Sequence, residues 1–197
     1  MATEPGPARP AGRAGLTGTD GLSSYTTRRD ATQYYVSGRF AALTGLVPVA
    51  ANLLHHSIEM FIKGALSQTL NLTDLQKLGH DLEALWAKLT GIATDAFPGD
   101  LGVAISTLNR FESLRYPDKV LTEGLDLALS IYTDNRTEIR NGNGKKLNHY
   151  HLVVEDMDRL VVAIFSFAGV SPAFHTQNLR AEAKEFMNKY NRHSIWR

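Results

Sequence analysis

The chain has 197 residues, 43% of them hydrophobic and 21% charged, which is the composition of one globular domain able to bury its own core. Its 21 Lys and Arg nearly balance its 20 Asp and Glu, which excludes a global basic field for nucleic acid and leaves that task to a local patch. It has no cysteine, which excludes disulfides, thiolate metal sites and thiol nucleophiles and suits a reducing, cytoplasmic setting.

Residues 1–24, MATEPGPARPAGRAGLTGTDGLSS, are dense in Gly, Pro and Ala and show no apolar periodicity. Such a segment cannot bury enough surface to offset its ordering entropy, so it reads as a disordered tail, with order beginning between Tyr25 and Asp30. Asp30 is placed to cap a first helix that Gly45 ends, and Pro48 suits the first turn of a second. A third helix, HDLEALWAKLTG, lies between Gly79 and Gly91. A fourth, LGVAISTLNRFESLRYP, stops before Pro117, whose ring disfavours helical geometry at Tyr116. A fifth runs from about Glu123 to Arg140, where NGNG breaks it, and a sixth from about His149 to Ala168. In the C-terminal extension, residues 171–197, a peripheral helix puts Leu179, Ala183, Phe186 and Tyr190 on one stripe.

The expected fold is an all-α antiparallel helical bundle of about five core helices plus a C-terminal helix, with residues 25–170 as the bundle. Shared stripes predict a core of Leu54, Ile58, Phe61, Leu82, Trp86, Leu89, Leu129, Met157, Val161 and Ile164. The longest apolar run, Val161 to Val170, is far short of the ~20 residues of a membrane span, so no membrane partner is expected.

The second helix raises a chemical question, because NLLHHSIEMFIKG mixes large apolar residues with His55, His56, Glu59 and Lys63. At about 100° per residue, Leu54, Ile58, Phe61, Ile62 and Ala65 share one arc, while Asn52, His56, Glu59 and Lys63 share the opposite one. His55 falls at the border. The polar arc reads as a solvated or interfacial face with an i,i+4 Glu59–Lys63 pair. His55 and Glu59 offer two metal ligands one turn apart, but no second motif supplies the rest, so no metal site and no cofactor is expected. In GHDLEAL, His80 or Asp81 is placed to cap the third helix.

AANLLHHSIEMFIKGAL followed by LGHDLEALWAKL, with the Tyr-bearing helix before and SLRYPD after, resembles the HEPN superfamily, the higher eukaryotes and prokaryotes nucleotide-binding domains. The resemblance covers about residues 30–170 and rests on several loosely specific motifs together.

The densest cationic cluster of the bundle is NRTEIRNGNGKKLNHYH, residues 135–151. Arg136 and Arg140 lie one turn apart on a stripe continued from Leu125, Leu129 and Tyr132, and Lys145, Lys146, His149 and His151 follow. These can act as a helix terminus with solvated lysines, or as a phosphate site in which Arg forks bind oxygens and imidazole handles a proton. NGNGKK is no Walker loop, since Lys146 stands where Ser or Thr must hold magnesium. The resemblance implies that Arg140, Asn141 and His149 match the Arg-Asn…His motif of metal-independent ribonucleases, and the phosphate-site reading of the cluster gives Arg136, Lys145, Lys146 and His151 the binding of RNA or nucleotide. Eight residues separate Arg140 from His149, more than that motif's usual spacing. Two functions follow: a metal-independent endoribonuclease, toxin-like or defence-related, or a noncatalytic nucleotide-binding or protein-interaction module. The second takes a nucleotidyltransferase or antitoxin as its partner. The resemblance also implies a homodimer.

Overall fold

The computed structural model describes residues 18–93, 97–115, 118, 126–133 and 149–194. Helices α1 (Gly18–Leu43) and α2 (Val47–Leu66) form the longest pair and are joined by a tight turn in which Gly45 takes φ +81°. That left-handed value favours glycine. Pro48 lies in the first turn of α2, where a missing N–H costs nothing. The two helices meet closely at Gly38, where a Cβ would stand 2.7 Å from Leu54 Cγ. Ser57 Oγ ties them further by donating to the Ala31 carbonyl at 2.8 Å.

A short helix α3 (Leu72–Lys77) follows, capped by Asn71 Oδ1, which accepts from the Asp74 amide at 2.9 Å. In helix α4 (Leu82–Ile92) the cap is Asp81, which accepts from the Glu83 amide at 2.9 Å and the Ala84 amide at 3.3 Å. Helix α5 (Leu101–Phe111) passes into a 3-10 turn, Glu112–Arg115. Strands β1 (Asp126–Ser130) and β2 (His149–Val153) pair in parallel, with Asp126 opposite His149 and Ser130 opposite Val153. Helix α6 (Val154–Ala168) follows β2 directly and ends on Gly169 at φ +60°. Helices α7 (Ala173–Thr176) and α8 (Ala181–Asn188) complete the described chain.

The described residues form a helical bundle carrying one two-stranded sheet. Its core joins Leu54, Ile58, Phe61 and Ile62 of α2 to Leu85 and Leu89 of α4, Ile105 and Leu108 of α5, and Leu160, Val161 and Ile164 of α6. Phe61 meets Phe165 edge-on at 5.1 Å, a geometry that suits the ring quadrupoles. Of the ten expected core residues only Leu129 falls short, being half-buried. No helix among the described residues is long and apolar enough to cross a membrane.

Four expectations are corrected. The fifth helix does not run through residues 126–130, which are strand β1, and the sixth begins at Val154 because His149–Val153 are strand β2. Each strand satisfies the other's backbone, a nonlocal gain that overrides local helical spacing. With β1 extended, Leu129 is on a strand and Tyr132 is not on a helix, so the helical stripe expected through them is absent there, while Arg136 and Arg140 lie outside the described residues. Helix α1 begins at Gly18, ahead of the expected start at Tyr25 to Asp30, so Asp30 sits inside a helix and pairs with Arg29 at 3.1 Å. Extending a formed helix adds one hydrogen bond per residue fixed, which needs no apolar face. Finally, the C-terminal helix covers only Ala181–Asn188: Leu179 and Ala183 pack on the core and Phe186 meets Phe40 edge-on at 4.8 Å, as the stripe expects, but Tyr190 is 53% exposed and the fully buried residue is Met187.

The extension closes over a buried charge. Arg39 of α1 forms an ion pair with Asp158 of α6, and neither side chain reaches solvent. Arg39 also donates to the Phe186 carbonyl at 3.0 Å and the Lys189 carbonyl at 2.5 Å. Tyr35 donates to Asp158 at 2.5 Å. Burial pushes the Asp158 carboxyl up, against the pull of Arg39 and Tyr35. Burial lowers the Arg39 guanidinium, but Tyr35 and Asp158 outweigh it and keep Arg39 charged.

Candidate functional site

Strand alternation builds the site. Along β2, Tyr150 and Leu152 turn into the core, 8% and 0% exposed, and Tyr150 packs on Phe111 of α5. His149 and His151 therefore share the other face. Both line a cleft of about 180 Å³ between α5, β2 and the start of α6, together with Thr107, Arg110 and Asp156.

The parallel register brings the partners of these histidines from β1. Asp126 lies opposite His149 and its Oδ2 accepts from His149 Nδ1 at 3.0 Å. With Nδ1 carrying the hydrogen toward the carboxylate, the lone pair of the neutral ring is on Nε2. His149 and Asp126 are 35% and 25% exposed, so the dyad meets solvent and has room for a substrate. Ser130 Oγ bonds His151 Nε2 at 2.8 Å, and the two imidazole centroids are 5.9 Å apart. Arg110, in the last turn of α5, donates to the His149 carbonyl at 3.3 Å and lies over the Tyr150 ring at 5.0 Å. Its fixed charge thus faces the cleft from a position set by packing. The acidic wall is Asp156, which lies 3.7 Å from Arg159, and Arg159 bonds Asp100 at 2.7 Å.

Of the sequence-derived site residues, His149 and His151 are brought together, on a strand rather than at a helix start. Arg136, Arg140, Asn141, Lys145 and Lys146 lie outside the described residues. Sequence reasoning missed Asp126, Ser130 and Arg110. Asp126 and Ser130 could be tied to the histidines only through cross-strand register, which no local pattern carries. For Arg110 the signal was a cation ending an amphipathic helix, too common to single it out.

The polar arc of α2 resolves differently. Glu59, expected on a solvated or interfacial face, is 4% exposed and meets His80 of the turn before α4. It accepts from Lys63 Nζ at 2.7 Å and His80 Nδ1 at 2.9 Å. Burial pushes its carboxyl up, but Lys63 and His80 outweigh that and hold it below the usual range. His55 is buried, with Nδ1 3.3 Å from the Leu108 carbonyl. No group of three or more His, Asp or Glu side chains among the described residues is arranged to hold a metal ion.

Comparison with protein-family models, curated proteins and solved structures finds no match to this chain.

Proposed function

We propose that the β2 cleft is the site of a metal-independent endoribonuclease of HEPN-like type. The observation that supports this most is the His149–Asp126 hydrogen bond, 3.0 Å long, in a cleft that also carries Arg110. Asp126 holds the imidazole in one tautomer, so that Nε2 of His149 takes the proton of an RNA 2′-hydroxyl. The 2′-oxygen attacks the adjacent phosphorus, and the charge of the phosphorane is met by Arg110. DNA lacks that hydroxyl and is not a substrate. Arg136, Arg140, Asn141, Lys145 and Lys146, all within the fourteen residues before His149, add the phosphate contacts that hold the backbone. A cysteine-free chain suits such work in a reducing cytoplasm, in a toxin-like or defence setting.

The test is incubation of purified protein with single-stranded RNA in EDTA. Cleavage leaving a 2′,3′-cyclic phosphate or its hydrolysed product is expected, and His149→Ala should abolish turnover while retaining RNA binding. Loss of cleavage in EDTA, or full activity of His149→Ala, contradicts the reading. The second reading, a noncatalytic nucleotide- or protein-binding module, draws on the position of His149 on a strand five residues before α6. It expects salt-dependent RNA or nucleotide binding without cleavage, weakened by substitution of Arg140, Lys145 or Lys146.

A further inference from the structure

The second histidine of the cleft has more to do than bind. Resting on the ribonuclease reading, we propose that His151 is the general acid of the same reaction, so that one chain holds a complete base–acid pair across a single phosphate.

Three features of the cleft lead there. First, His149 and His151 occupy alternate positions of one strand and line one cleft, so both rings address the same space. Second, their centroids stand 5.9 Å apart. That spacing admits one phosphate with an oxygen within the about 2.6–3.2 Å hydrogen-bond reach of each ring, but not two independent substrates. Third, their partners on β1 differ in kind. The Asp126 carboxylate only accepts, which fixes a hydrogen on His149 Nδ1 and leaves Nε2 as a base. The Ser130 hydroxyl bonds His151 at 2.8 Å and can donate or accept, so it orients the ring whether neutral or charged. A general acid must pass through both states.

The step balances without any co-reactant. Nε2 of His149 takes the 2′-hydroxyl proton, the 2′-oxygen–phosphorus bond forms, the phosphorus–5′-oxygen bond breaks, and the imidazolium of His151 gives its proton to the departing 5′-oxygen. His149 ends charged and His151 neutral. These are the states required to hydrolyse the 2′,3′-cyclic phosphate, with His151 taking a proton from water and His149 returning one to the 2′-oxygen. Among the described residues, the charged groups facing the pair are Asp126 from β1, Arg110 from α5 and Asp156 from α6, the last drawn toward Arg159.

Two substrates separate an acid from a merely structural histidine. On a dinucleotide, whose 5′-alkoxide leaves poorly, His151→Ala and His151→Gln should each lose about 10²–10⁴-fold in kcat/KM and the alkaline limb of the pH profile. On uridine 3′-nitrophenyl phosphate, whose leaving group needs no proton, both variants should recover to within about tenfold of wild type, while His149→Ala stays inactive. That recovery also shows the variants to be folded. Equal losses on both substrates, or wild-type cleavage of the dinucleotide by the His151 variants, overturns the acid role and leaves the ribonuclease reading standing. A wild-type chain that cleaves neither substrate overturns both.

Discussion

Two histidine–carboxylate pairs in this molecule have nearly the same geometry and opposite surroundings. His80 meets Glu59 at 2.9 Å and His149 meets Asp126 at 3.0 Å, so distance does not distinguish them. Glu59 is buried and already shared with Lys63, and His80 is 71% exposed on a helix-entry turn, outside the cleft. Its carboxylate is spent on local charge neutralisation. Asp126 serves one histidine, both are part-exposed, and a second imidazole and a guanidinium open onto the same space. A carboxylate with a competing cation holds structure, whereas one whose histidine faces a cleft can direct a proton.

That contrast is sharpened first at its structural extreme. Replacing Arg39 by Met leaves the enclosed Asp158 carboxyl without its cation and should cost about 3–5 kcal/mol, read by urea denaturation. RNA cleavage per folded molecule should be unchanged, since Arg39 does not line the cleft.

A histidine enclosed by the fold should make stability depend on pH. His175 is 5% exposed, and burial, reinforced by the Arg28 charge, lowers its pKa from 6.5 to about 4. As pH falls from about 6.5 to 4 the unfolded chain takes up a proton that the folded chain refuses, so stability is lost across that window and is fully present above it. The loss is on the order of 2–3 kcal/mol, and a His175→Phe variant should show a correspondingly flatter stability–pH curve by thermal or urea unfolding.

The Glu59 pair should yield a smaller effect of the opposite chemical type. Its depressed carboxyl contributes stability at neutral pH that disappears as acid titrates it below the usual carboxylate range. Glu59→Gln should cost about 1–2 kcal/mol at pH 7 and much less at pH 3, by the same unfolding measurement. Smallest of all, Asp81→Ala removes the α4 cap and should cost about 1 kcal/mol, a tolerable loss that leaves the cleft untouched.

Much of the fold was legible because helix chemistry is local. Gly45, Pro48, Gly79 and Asp81 each do what their side chains dictate in either reading, and the stripes of α2, α4 and α6 put the expected residues in the core. The sheet was not legible. Leu125, Leu129 and Tyr132 carry helical spacing, Leu127 and Leu129 carry strand spacing, and five residues are too few to arbitrate. What decides is pairing with β2, a partner remote in sequence. The site divided along the same line. His149 and His151 stand out by residue type, while Asp126 and Ser130 acquire meaning only when the strands are in register. Of the two readings of the α2 polar arc, solvated or interfacial, Glu59 takes the second, because it meets His80 of a different turn.

The most direct test is to assay Asp126→Asn and Glu59→Gln side by side for RNA cleavage in EDTA, at a temperature where both are folded. Because Asn cannot hold the imidazole tautomer as a carboxylate does, Asp126→Asn should lose at least about 10²-fold in kcat/KM, while Glu59→Gln keeps wild-type cleavage despite its lower stability. Equal activity of the two variants, or a loss confined to Glu59→Gln, would contradict the assignment of proton chemistry to the β2 cleft.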